Sequence, residues 1–116
     1  MERIKIGAQG EVNIYRLSSL PDGLVPNTDK DNLGRPIVGH SEKGHHHVLE
    51  RPVELLEKPD APEGLRILYA LLEEPTALVQ DVGGGHDTQV IEPGVIEFRI
   101  SREYDPFADQ VRRVAD

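Results

Sequence analysis

The chain has 116 residues, with 13 Lys and Arg against 21 Asp and Glu, a formal charge of −8. That length suits one domain spanning residues 1–116, and the acidic balance repels phosphate backbones and argues against nucleic acid as a partner. With no cysteine there are no disulfides or thiolate metal sites, and no apolar run approaches the ~20 residues of a membrane-spanning helix.

The N-terminus, Met1-Glu2-Arg3-Ile4-Lys5-Ile6, lacks the apolar core of a signal peptide, so a soluble cytoplasmic protein is expected. Ile4 and Ile6 alternate with Arg3 and Lys5, and Val12 and Ile14 alternate with Glu11 and Asn13. Both segments predict short half-buried strands, broken by Gly7 and Gly10. Residues 21–36 carry Pro21, Gly23, Pro26, Gly34 and Pro36 among Asn and Asp, which predicts a long loop.

Ile37-Val38 restarts extended structure, and Pro52 to Leu56 predicts another strand, closed by Pro59 to Gly64. Leu65 to Leu72 is apolar on both faces, and the prolines that bound it predict a short buried strand. A strand of this kind needs a second layer, a helix or a partner, so at least a homodimer, with this segment or its neighbouring strand near the interface, is expected. Thr76 to Val82 predicts a further strand. Glu92-Pro93-Gly94 has the composition of a type II turn and predicts a hairpin between Thr88–Ile91 and Val95–Tyr104. In its second arm Ile96, Phe98 and Ile100 alternate with Glu97, Arg99 and Ser101, the clearest strand pattern in the chain. Asp105-Pro106, followed by Phe107, Val111 and Val114, predicts a short C-terminal helix over 105–116. The sum is an all-β fold, a small barrel or sandwich of short antiparallel strands with that helix.

The chemistry concentrates in histidine. Four of five histidines lie within Gly39-His40-Ser41-Glu42-Lys43-Gly44-His45-His46-His47, and His86 follows Gly83-Gly84-Gly85. On an extended segment His45 and His47 share a face, about 6.7 Å apart, and His46 faces away. Two imidazoles so placed can converge on one ion. The glycines ahead of His86 let it approach as the third ligand, with Glu42, Glu50 and His40 as further candidates. The metal set is therefore His45, His47 and His86, and imidazole suits Zn, Ni or Fe. Two readings stand beside it. One is a non-enzymatic structural or interaction subunit in which the histidines are incidental. The other is a metal-free hydrolase that uses them as general acid and base on a small-molecule substrate. The triple glycine is not a phosphate loop, since no Lys-Ser/Thr follows it. Arg99, Arg102 and Glu103 read as a charge network at a strand end, and Tyr104 as packing.

Gly44-His45-His46-His47 matches a Gly-His-x-His pattern. With the later His86, Pro93-Gly94, Arg102-Glu103-Tyr104 and Val114-Ala115-Asp116, it resembles a family of small uncharacterised bacterial proteins. That resemblance singles out His45, His47 and His86 and implies no particular activity. A similarity to cupins is confined to His45, His47 and Glu50. There Glu50 comes one or two residues early, and the Pro-Gly pair follows the late histidine instead of preceding it.

Overall fold

The structure, a computed structural model, describes residues 2–40, 46–80 and 88–101. All regular elements among these residues are strands. They run β1 Arg3–Gln9, β2 Val12–Leu17, β3 Val25–Asn27, β4 Ile37–His40, β5 His46–Leu49, β6 Leu55–Glu57, β7 Leu65–Leu72, β8 Thr76–Gln80, β9 Gln89–Ile91 and β10 Gly94–Ser101. Six form one antiparallel sheet in the order β1-β2-β10-β7-β6-β3, and four form a second in the order β4-β5-β8-β9. The two sheets make an open sandwich, not a closed barrel. The helix expected over 105–116 lies outside the described residues.

Period-two alternation builds the interior. Val12 and Ile14 on β2, Leu68, Ala70 and Leu72 on β7, and Ile96, Phe98 and Ile100 on β10 point from the large sheet. Val38, Leu49, Leu78 and Ile91 meet them from the small one. Each aliphatic or aromatic side chain removed from water here is worth ~1.5–3 kcal/mol. No β1 residue joins this cluster: β1 meets the small sheet at its C-terminal end, where Gly7 faces Gln89 and Gln9 bonds to Leu78 and His47. Ile4 and Ile6 are exposed, not half-buried as their alternation suggests.

β7 is the strand its composition predicts, and much of both its faces is covered within the chain. It lies between β10 and β6, and of its large apolar side chains Leu71 is exposed, at 55%. Leu68, Ala70 and Leu72 face the small sheet. Leu65, Ile67 and Tyr69 on the other face pack with Leu17, Leu20, Leu24, Leu56, Ala61 and Val95. The loops around residues 20–24 and 61 supply a second layer over this part of the outer face.

Two other expectations change. The 21–36 segment is not one long loop: it holds β3 and a tight turn organised by Asp31. The Asp31 carboxylate accepts the backbone N–H groups of Leu33 and Arg35 and the Arg35 Nε–H, the last at 2.7 Å. Burial alone would raise this carboxyl, but the Arg35 and Leu33 donors outweigh it and hold it below the usual aspartate value. Glu92-Pro93-Gly94 is not a hairpin turn either. β9 pairs with β8, whereas β10 pairs with β2 and β7, so these residues carry the chain from one sheet to the other. The Arg16 guanidinium clamps the crossing by donating to the Pro93 carbonyl at 2.6 Å and the Glu92 carbonyl at 3.3 Å. A Pro-Gly pair bends the chain in both settings, and local sequence does not say which strand lies alongside.

Candidate functional site

One end of the sandwich gathers the histidine-bearing segments. β4 ends at His40 and β5 begins at His46, so residues 41–45 join them there. β8 ends at Gln80, which pairs with His47, so the 81–88 connection leaves from the same end. The β1–β2 turn, Gly10-Glu11, comes to this end from the large sheet.

His47 is the centre of what the structure describes. Its side chain points between the sheets and is 1% exposed. The Gln9 amide fixes its ring: Nε2 of Gln9 donates to the Leu78 carbonyl at 2.9 Å, leaving Oε1 as the acceptor for His47 Nδ1 at 2.7 Å. The ring proton therefore sits on Nδ1, and Nε2 carries the lone pair when the ring is neutral. Nε2 lies 3.7 Å from Glu11 Oε1, beyond hydrogen-bond reach.

Two glycines make room for this ring. A Cβ at Gly10 would stand 3.2 Å from His47 Cε1 and 3.4 Å from Nε2. A Cβ at Gly39 would stand 3.3 Å from Cδ2 and 3.1 Å from a Val12 methyl. Gly10 also has φ 55, as the first central residue of a two-residue hairpin turn with positive φ at that position alone.

The other candidates separate. His46 lies on the opposite side of β5 from His47, as the alternation predicts, and is half-buried. It pairs across the ladder with His40, the two rings meeting edge to face at 4.7 Å. His40 is partly exposed and faces Asp29 at 3.6 Å. Glu50 is exposed, and Leu49, not Glu50, shares the His47 face, so Glu50 and His47 do not form a cupin-like pair. His45, Glu42 and His86, with Gly83 to Gly85, lie outside the described residues, as do Arg102, Glu103 and Tyr104. Among the described residues no three His, Asp or Glu side chains cluster tightly enough to hold a metal ion. Nothing in the local sequence marks Gln9 and Glu11 as companions of His47; Gln9 lies 38 residues away.

A second polar assembly lies on the outer face of the large sheet. Glu97 is fully buried there. Its Oε1 accepts Arg3 Nε–H at 2.7 Å and Arg99 Nε–H at 2.8 Å; its Oε2 accepts the Tyr69 hydroxyl at 2.7 Å and an Arg3 terminal N–H at 3.3 Å. Burial pushes the Glu97 carboxyl up, but these donors outweigh it and hold it below the ordinary glutamate value. Burial and the bond to Glu97 push the Tyr69 hydroxyl well above its usual range.

Residues 8–102 match the model of a family described as a domain of unknown function, DUF8820. The chain belongs to this family. The match takes in Gln9, Gly10, Glu11, Gly39 and His47, and so the whole described setting of the buried histidine. No curated protein and no solved structure matches the chain.

Proposed function

We propose that the histidine end of the DUF8820 sandwich binds one divalent transition metal ion, with His47, His45 and His86 as ligands and Glu11 as a further oxygen donor. The separation of His47 Nε2 and Glu11 Oε1, 3.7 Å, carries this reading. It is too long for a hydrogen bond. Two donors each ~2.1 Å from one ion at a tetrahedral angle stand about 3.4 Å apart, close to that separation. The grip of Gln9 on Nδ1 supports it too, because a metal-binding imidazole is commonly held through its other nitrogen by an oxygen acceptor. His45 directly precedes β5, and His86 falls in the connection that follows Gln80, the ladder partner of His47. Zn, Ni and Fe all suit this donor set.

Calorimetric titration of tag-free protein with zinc or nickel tests the reading. One equivalent should bind, and Glu11→Gln, His47→Ala, His45→Ala and His86→Ala should each weaken it. Glu11 is partly exposed, so its variant keeps the fold and isolates the ligand effect. His46→Ala should bind as the unaltered chain does; if it loses binding as fully as His47→Ala, the ions are held by an unstructured cluster and the assignment fails.

The burial of His47 favours a second reading, in which the ring is a structural bridge and the protein a non-enzymatic subunit. Absence of any saturable metal binding in the same titration would decide for it.

A further inference from the structure

On the outer face of the large sheet, side chains stand in three rows set by the strand register. Arg3, Leu17, Val95 and Leu71 form one. Lys5, Tyr15, Glu97 and Tyr69 form the next, and Asn13, Arg99 and Ile67 the third. The two arginines reach from the outer rows toward the middle one, where both give their Nε–H to the same Glu97 oxygen. Arg3 also lies over the Tyr15 ring, 5.9 Å from its centroid.

This arrangement uses the inner edges of the arginines and leaves their outer edges. Among the described residues Arg3 spends Nε and one terminal nitrogen on Glu97, and Arg99 spends only Nε. Both remain partly open to solvent, at 40% and 30%, while Glu97 beneath them has no exposed surface. Four hydrogen bonds saturate the carboxylate, which then holds two guanidinium forks in place. In these rows Arg3, Lys5 and Arg99 stand against the single carboxylate of Glu97, a local positive surplus on a chain of net charge −8. Ordering two long side chains normally costs entropy at the moment of binding; here the fold has already ordered them.

We propose that this patch, Arg3 and Arg99 braced by Glu97 and flanked by Lys5, binds a small dianionic oxyanion, either a phosphate or a dicarboxylate. The terminal N–H groups of a guanidinium match both groups in bidentate geometry. The site lies on the opposite face of the large sheet from His47 and does not depend on the metal reading.

The test is titration of metal-free full-length protein, followed by two-dimensional NMR, with inorganic phosphate in one arm and succinate in the other. Sodium chloride at matched ionic strength is the control. Saturable shifts at Arg3, Tyr15 and Arg99 are expected in at least one arm, and the arm that saturates identifies the ligand's anionic group. Arg99→Met should weaken binding at least about tenfold, the loss expected for a charged hydrogen-bond donor. Arg51→Met, which removes an exposed arginine paired with Glu74, should leave it unchanged. If Arg99→Met does not fold, Arg99→Lys keeps the charge, removes the fork and should still bind more weakly. Shifts that do not saturate, shifts matched by chloride, or full affinity in the Arg99 variants would overturn the proposal.

Discussion

Gln9 and His47 tie the two sheets together through one hydrogen bond, Oε1 to Nδ1 at 2.7 Å, in a place where neither group meets water. Gln9→Leu removes the acceptor and leaves a buried ring N–H and the Leu78 carbonyl without this partner. The expected loss is ~1–3 kcal/mol in urea denaturation. Nitrogen NMR of the unaltered protein near pH 8 should show the His47 proton on Nδ1, and in Gln9→Leu that preference should relax.

The glycines around the ring give a second prediction. Gly10→Ala and Gly23→Ala both place an alanine at positive φ, 55 and 78 respectively. Only the Gly10 methyl meets anything, namely His47; nothing lies within 4 Å at Gly23. Gly10→Ala should therefore cost more than Gly23→Ala by about 1–3 kcal/mol, the usual penalty for overpacking. Equal denaturation midpoints would show that the ring has room to move.

Acid should act through Glu97. Its carboxyl is lowered on folding, so the stability it contributes is complete above the ordinary value of 4.5 and is lost as pH falls through the folded value. Asp31, lowered from 3.8, adds to the same loss. Unfolding free energy measured from pH 6 down to pH 3 should fall. Glu97→Gln should be less stable at pH 6 by about 1.5–3 kcal/mol and have a shallower slope below pH 4.5. Tyr69 works at the other extreme. Its hydroxyl is raised above 10.0, so its contribution is complete below that pH and is lost as pH rises further.

The sheet crossing gives a fourth prediction. Gly94 has φ 143, and a Cβ there would run into the Arg16 guanidinium that clamps the Glu92 and Pro93 carbonyls. Gly94→Val should lower the thermal midpoint. Part of the loss should disappear in an Arg16→Ala background, because the clash is then gone while the backbone strain remains.

What could be read in advance followed the range of the forces involved. β7 and β10 were legible because alternation and bounding prolines are local. The pairing of β9 with β8 was not, since Pro93-Gly94 bends a chain equally well within a sheet or between two. Ile4 and Ile6 show the same limit: their alternation suggests a half-buried face, yet both are exposed, and the ladder shifts register between Lys5 and Gly7. At the candidate sites, the histidine spacing correctly separated His46 from His47. The companions Gln9 and Glu11 come from a different strand pair and leave no trace near residue 47. The burial of Glu97 leaves no local mark either, because alternation reports side, not depth. Arg3, 94 positions away, contributes to its burial.

The order of strands in the large sheet has a consequence for how the chain must assemble. β2 and β7 each lie against β10, the last strand of the described chain to leave the ribosome. Until it arrives, the β1–β2 hairpin has no sheet to join, Arg3 has no carboxylate, and β7 presents an open edge. Completion is therefore a late, long-range event of the kind that slows folding. In the interval the nascent chain exposes pairing edges at both β2 and β7, where a holding chaperone would be of most use.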